Sequence, residues 1–335
     1  MKTLGILTDT DDDTQTEDTN QYVAHDSDDS RGSGDADAIA TDELANHTND
    51  LSNHYYFTGQ YPQAIVRNAE DRFSGYPKLR KLVELKRAHM IQNACPPFIQ
   101  WCQPVNMPAL LEMWMQSRVK FDVIMVGSTT TPCPSFSTLN SLPIQKFGLK
   151  PSFVFLWLPS SALELGRAVL NNWGYRRAED IVYAVRSPNS VRAPPGMNSD
   201  EIFRKTTWHC LMGIRGTVRR SVDTNVIHCN IDTDVIIEHG NSLAAVPETI
   251  YTVIENFALS NRRLHIIPNY LPKTSYVSGR PGWTIVSPDV IGSNFSVEQY
   301  FAYTKRFGDR LQENLDIENL RPKSPVKRDY GRYSK

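Results

Sequence analysis

From about residue 119 to residue 308 the chain alternates short apolar runs of strand type with amphipathic stretches of helical period. That alternation narrows the fold more than any other feature of the sequence. The strand-like runs fall at 121–126, 153–158, 180–185, 208–214, 234–237, 264–267 and 283–286. Between them, 161–173 reads as a helix with a Ser161-x-x-Glu164 capping box, an apolar face of Ala162, Leu165, Val169 and Trp173, and Gly174 as its stop. A second helix spans 247–260, with Ile250, Val253, Ile254 and Phe257 at i, i+3, i+4 and i+7, and a third opens at Ser296-x-x-Gln299 and runs to about Phe307. Strand and helix in alternation predict an α/β domain with a largely parallel sheet covered on both faces, and such a sheet presents ligands at the carboxyl ends of its strands. Upstream, 60–71, 76–92 (Pro77 at the first helical position) and 107–116 read as helices, so 55–118 is expected to be a helical extension packed on the 119–308 domain.

Charge separates the ends from this body. Residues 1–54 hold fourteen Asp and Glu against Lys2 and Arg31, a net charge of −12, and the chain total of −1 leaves +11 on the remainder. A segment so acidic and so poor in aromatic and branched residues cannot bury enough surface to offset its ordering entropy, so it is expected to be a disordered tail. Residues 309–335 are expected to be a flexible basic tail, since Arg321 to Lys335 carry six basic residues against Asp329 alone, with Pro322 and Pro325 as helix breakers. No apolar stretch reaches the roughly 20 residues that span a bilayer. Met1 to Thr10 lack the basic and apolar regions of a secretory signal, so the expected location is nuclear and cytoplasmic, with no membrane partner. The five cysteines show no Cys-x-x-Cys spacing, and no metal site is expected.

The loop after the 121–126 run reads Gly127-Ser-Thr-Thr-Thr-Pro-Cys-Pro-Ser-Phe136. It has no glycine-rich phosphate cradle, no phosphate-binding lysine loop and no nucleophile elbow. Its hydroxyls have no neighbouring base, which fits a solvated loop better than a nucleophile. Other segments carry more information: Phe121-Asp-Val-Ile, Phe155-Leu-Trp, Trp173-Gly-Tyr-Arg-Arg-Ala-Glu-Asp180, His209-Cys-Leu-Met-Gly-Ile-Arg-Gly-Thr-Val-Arg-Arg220, His228-Cys-Asn-Ile-Asp-Thr-Asp234, Arg262-Arg-Leu-His265 and Arg280-Pro-Gly-Trp283. Together with Tyr76-Pro-Lys-Leu-Arg-Lys-Leu82, they resemble the eukaryotic mRNA adenosine N6-methyltransferase family over about residues 50–307, and within it the non-catalytic partner subunit in its fungal form.

The resemblance implies a Rossmann-like class I methyltransferase fold in degenerate form. Catalytic members of the family place Asp-Pro-Pro-Trp after the first strand to hold the adenine amine for attack on S-adenosylmethionine. The matching residues here are Gly127, Ser128, Thr129 and Thr130, which supply neither an acid nor a stacking ring. Pro268 to Ser278 also replaces the family's short Gly-Arg cofactor segment, so no cofactor and no catalytic residue are expected.

What the resemblance implies instead is partnership with a catalytic adenosine methyltransferase subunit. Arg176, Arg177, Arg215, Arg219 and Arg220 would face mRNA, with Asp234 ordering that cluster or its adjoining loop. The competing reading pairs Arg176 and Arg177 with Glu179 and Asp180, and Arg219 and Arg220 with Asp223, as surface ion pairs. Trp157, Trp173, Trp208 and Trp283 read as core, whereas Tyr55, Tyr56 and Phe57 suit either partner docking or core contact. The fungal resemblance adds a role in meiosis and in mating and karyogamy gene transcription beside a sequence-specific transcription factor. The alternatives are an active nucleic-acid methyltransferase with an altered site and an autonomous DNA binder; the second lacks any zinc-finger, basic-zipper or helix-turn-helix signature.

Overall fold

The computed structural model describes residues 73, 76–130, 132–185, 202, 206–218, 226, 227, 229, 232–237, 242–306 and 314–322. The acidic segment 1–54, the expected helix 60–71, Tyr55 to Phe57, Arg219, Arg220 and Asp223 lie outside them.

The elements follow in chain order: α1 Pro77–Asn93, β1 Phe98–Trp101, α2 Met107–Gln116, β2 Phe121–Val126, α3 Phe136–Ser141, α4 Ile144–Phe147, β3 Gly148–Pro159 and α5 Leu163–Asn172. They continue with β4 Arg176–Ala184, β5 Thr207–Arg215, β6 Val235–Ile237, α6 Glu248–Phe257, β7 Arg263–Ile266, β8 Trp283–Ser287, α7 Val297–Arg306 and α8 Leu315–Leu320. The eight strands form one sheet in the order β1-β8-β7-β2-β3-β5-β4-β6. Every pairing is parallel except those of β5, which runs antiparallel to β3 and β4. This is the degenerate Rossmann-like methyltransferase fold that the alternation and the resemblance imply.

Period-two patterning sorts the strand residues onto two cores. In β3, Val154, Leu156 and Leu158 join α2 and α5 on one face, while Phe153, Phe155 and Trp157 meet α6 on the other. β2 is buried along its whole length, as a central parallel strand must be. Trp157, Trp173, Trp208 and Trp283 are all core residues.

Several local expectations are corrected. The Ser161–Glu164 capping box does not form: residues 160–162 make a 3-10 turn, α5 starts at Leu163, and no side chain caps it. The Ser160 hydroxyl lies 2.6 Å from the Thr207 carbonyl instead, which fixes the approach to the helix. β4 reaches back from 180 to Arg176, because Ile214 and Gly213 of β5 pair with Arg176 and Arg177. Within the expected flexible tail, Leu315–Leu320 forms α8, with Ile317 buried against Leu79, Leu82 and Val83 of α1. Six residues are too few for a visible helical period, so contact with α1 supplies what propensity does not.

Candidate functional site

The carboxyl end of β2 is where a doubly wound sheet would present a ligand. Here the chain turns on Gly127, at φ 95, whose amide donates to the Ile266 carbonyl at 2.8 Å. A Cβ at this position would stand 3.1 Å from the Trp157 carbonyl oxygen, so both the dihedral and the space call for glycine. The hydroxyls that follow are turned onto the protein itself. Ser128 Oγ donates to the Thr130 carbonyl at 3.0 Å, while the amide and hydroxyl of Thr129 meet the Ala245 carbonyl at 2.8 and 3.3 Å. Thr129 and Thr130 are buried.

The segment after β7 closes over the same end. Ala245, Ile267 and Leu271 form a small apolar cluster with Val277 against it. The amide of Ala245 donates to the Tyr276 carbonyl at 2.8 Å, the amide of Tyr276 to the Leu243 carbonyl at 2.9 Å, and the Leu271 amide to Asp289 Oδ2 at 2.8 Å. What stays open beside Tyr251 and Arg280 is a cavity of about 150 Å³, small against the ~300–1,000 Å³ of ordinary ligand sites. S-adenosylmethionine, the cofactor that the fold implies, does not fit these residues. Residues 127–130 present it with no carboxylate, and the hydroxyls of Ser128 and Thr129 are bonded to the chain itself.

Behind the crevice lies a bonded interior. Glu255 accepts from Arg280 Nε and Nη2, each at 2.7 Å, and from Trp283 Nε1 at 2.8 Å, and the Arg280 guanidinium lies 5.0 Å from the Tyr251 ring centroid. These contacts raise the Arg280 pKa, chiefly through the hydrogen bonds to Glu255, and pin the end of the closing segment onto α6. On the amino side of β2, Asp122 receives Arg262 Nε at 2.9 Å and Nη2 at 3.3 Å.

Of the arginines expected to face RNA, Arg176, Arg177 and Arg215 sit at the other end of the sheet. Arg176 and Arg177 open β4 and are exposed, and Arg215 closes the adjacent β5. Ser152 faces Arg215 and Trp157 stands against Gly127, so five residues of β3, roughly 16 Å, separate cluster and motif. Arg215 is half-buried and donates to the Gln145 carbonyl; it also bonds the Tyr175 hydroxyl, whose pKa burial nonetheless raises. The competing reading, in which Arg176 and Arg177 pair with Glu179 and Asp180, is not what forms among the described residues: Asp180 holds His209 Nδ1 at 2.9 Å. The Asp234 carbonyl accepts from Val182 of β4 at 2.7 Å at the entry to β6, and its side chain is exposed.

Sequence reasoning missed the buried cations. Lys86 lies in the interior with its amine on the carbonyls of Ile227 (2.7 Å) and Asn256 and on Cys229 Sγ (3.4 Å), and burial lowers its pKa. Arg263 is buried beneath Trp283, with Nη2 on the Ala258 carbonyl at 3.0 Å. Lys86 had a readable signal, since it continues Leu79, Leu82 and Val83 at helical spacing onto the buried face of α1.

The MT-A70 family model matches residues 111–286. The chain is 40% identical over 292 residues to the karyogamy protein KAR4 of Saccharomyces cerevisiae, covering 84% of this chain and 86% of that one. It is 35% identical to the N(6)-adenosine-methyltransferase non-catalytic subunit METTL14 of Danio rerio, over 84% of this chain and 63% of the relative. Identity to the N6-adenosine-methyltransferase non-catalytic subunit MTB of Arabidopsis thaliana is 36%, over 56% of this chain and 26% of that protein.

Proposed function

The chain belongs to the MT-A70 family, and from that premise we propose that it is a catalytically silent subunit which heterodimerises with an active mRNA adenosine N6-methyltransferase. The observation that carries this reading is the carboxyl end of β2. A methyltransferase must hold its acceptor amine against the cofactor's methyl group, and positioning together with preorganised electrostatics does most of that work. Gly127, Ser128, Thr129 and Thr130 offer no acid and no ring, and their hydroxyls are bonded to the chain itself. Relatives named as non-catalytic subunits support the same reading.

In this role the chain contributes surface for mRNA through Arg176, Arg177, Arg215, Arg219 and Arg220. The planar guanidinium suits bidentate phosphate contact, and the net charge of +11 outside residues 1–54 favours a polyanion. A second role in transcription of mating genes, beside a sequence-specific DNA-binding factor in the nucleus, is supported by the name of the karyogamy relative and by the acidic segment 1–54. Both roles are partner binding, so one inert fold serves them.

Calorimetric titration with S-adenosylmethionine tests the reading, on the chain alone and with its catalytic partner. One site in the heterodimer and none in the chain alone is the expected result. A site in the isolated chain would overturn it and reopen the case for an altered but active methyltransferase.

A further inference from the structure

The amino ends of the strands carry more positive charge than the arginine pairs account for. Contacts run unbroken across four neighbouring strands. Lys120, just before β2, donates its amine to the carbonyl of Lys146 in α4, and Arg215 at the end of β5 donates to the carbonyl of Gln145 next to it. Gly216, at φ 84, then turns the chain against Lys150 of β3, whose Cβ lies 3.6 Å from where a Cβ on Gly216 would stand. Arg176 follows one strand further on, opposite Ile214. With strands roughly 4.8 Å apart, this rim is about 15 Å wide.

Lys146, Lys150, Arg176 and Arg177 are exposed, and among the described residues none of them forms an ion pair with a carboxylate. Two of the nearby acids are engaged elsewhere, Asp180 with His209 and Asp122 with Arg262, and Glu179, exposed on β4, is the acid left beside Arg177. Arg118, also basic, lies at the edge of the rim as the left-handed residue (φ 62) that ends α2, its amide donating to the Met115 carbonyl at 2.9 Å.

We propose that Lys146 and Lys150 extend the RNA surface of Arg176 and Arg177 across the amino pole of the sheet, where they hold the phosphates of a single-stranded RNA. The inference rests on the RNA-binding role proposed above and adds to it a path and two residues that no arginine motif marks. Lysine fits this part of the path: as a flexible point charge it binds phosphate without fixing base or register.

The test is the salt dependence of binding of the full chain to a fluorescein-labelled single-stranded RNA, in which log Kobs falls by about 0.7 per phosphate contact for each decade of salt. The double variant Lys146→Gln/Lys150→Gln is expected to lose about 1.4 from that slope and to bind about tenfold more weakly at physiological salt, with unchanged thermal unfolding. A slope unchanged in this variant but lowered in Arg176→Gln/Arg177→Gln would overturn the extension and leave the arginine site standing. Wild-type chain without salt-dependent RNA binding would overturn both. Competition by polyglutamate as effective as that by unlabelled RNA of equal charge would overturn the choice of RNA as occupant.

Discussion

His265 donates through Nε2 to the carbonyl oxygen of Gly127, 2.9 Å away in the interior of the sheet. A carbonyl can only accept, so Nε2 carries the proton, and Nδ1 is left to accept from the Tyr251 hydroxyl at 2.8 Å. Burial pushes the imidazole pKa down to about 4, and the ring is neutral at physiological pH. The unfolded chain, with its ordinary value near 6.5, binds the extra proton sooner, so stability is full above pH 6.5 and falls as pH drops toward 4. The expected contribution is about 2 kcal/mol lost between pH 7 and pH 5. Urea unfolding of wild type and His265→Gln at both pH values measures it; an equal loss in both proteins would assign the acid sensitivity elsewhere.

This bond also shows where sequence legibility ends. The α/β class and the core tryptophans could be read because period two and period 3.6 are local. The end of β2 was legible in part, since the absence of an acid from residues 127–130 is a matter of identity. That Leu271 packs on Ala245 is not, because the two lie 26 residues apart in the chain. His265 was quoted only as part of a motif, and its partners are 14 and 138 residues away in sequence. The partner of Asp180 was hidden for the same reason: the arginines are its neighbours in the chain, but His209 on the adjacent strand takes the carboxylate.

Glu255 is the acceptor for three donors from Arg280 and Trp283, and it is mostly buried. Glu255→Ala strands a guanidinium and an indole N–H, so the expected loss is about 3–5 kcal/mol. Glu255→Gln keeps an acceptor oxygen and should lose less. Chemical denaturation of the two variants checks the order; equal losses would show that the charge, not the geometry, holds the closing segment.

Lys86 is expected to link the N-terminal helix to α6 in a pH-dependent way. Its buried amine has a lowered pKa, so the unfolded chain holds its proton to higher pH, and this group's contribution to stability rises as the solution becomes alkaline. Lys86→Met removes that dependence and leaves the carbonyls of Ile227 and Asn256 without their donor, at a cost of about 1–3 kcal/mol for each. Urea midpoints of both proteins at pH 7 and pH 9.5 give the difference. A constant gap between them would mean that Lys86 titrates alike in the folded and unfolded chains.

An acid placed at residue 127 should not create a cofactor site. Gly127→Asp would place a side chain at φ 95, where its Cβ stands 3.1 Å from the Trp157 carbonyl oxygen and 3.4 Å from the Trp157 Cβ. Left-handed strain and crowding together predict a loss of about 1–3 kcal/mol. The neighbouring Thr129 is bonded to Ala245 through both its amide and its hydroxyl, which holds the turn closed. Unfolding and S-adenosylmethionine calorimetry on Gly127→Asp therefore have a joint expectation: lower stability and no heat of binding. Stable protein that binds the cofactor would mean that identity alone silenced this chain. The geometry argues instead that a cofactor site here would need the Gly127 turn, the segment after β7 and the acid to change together.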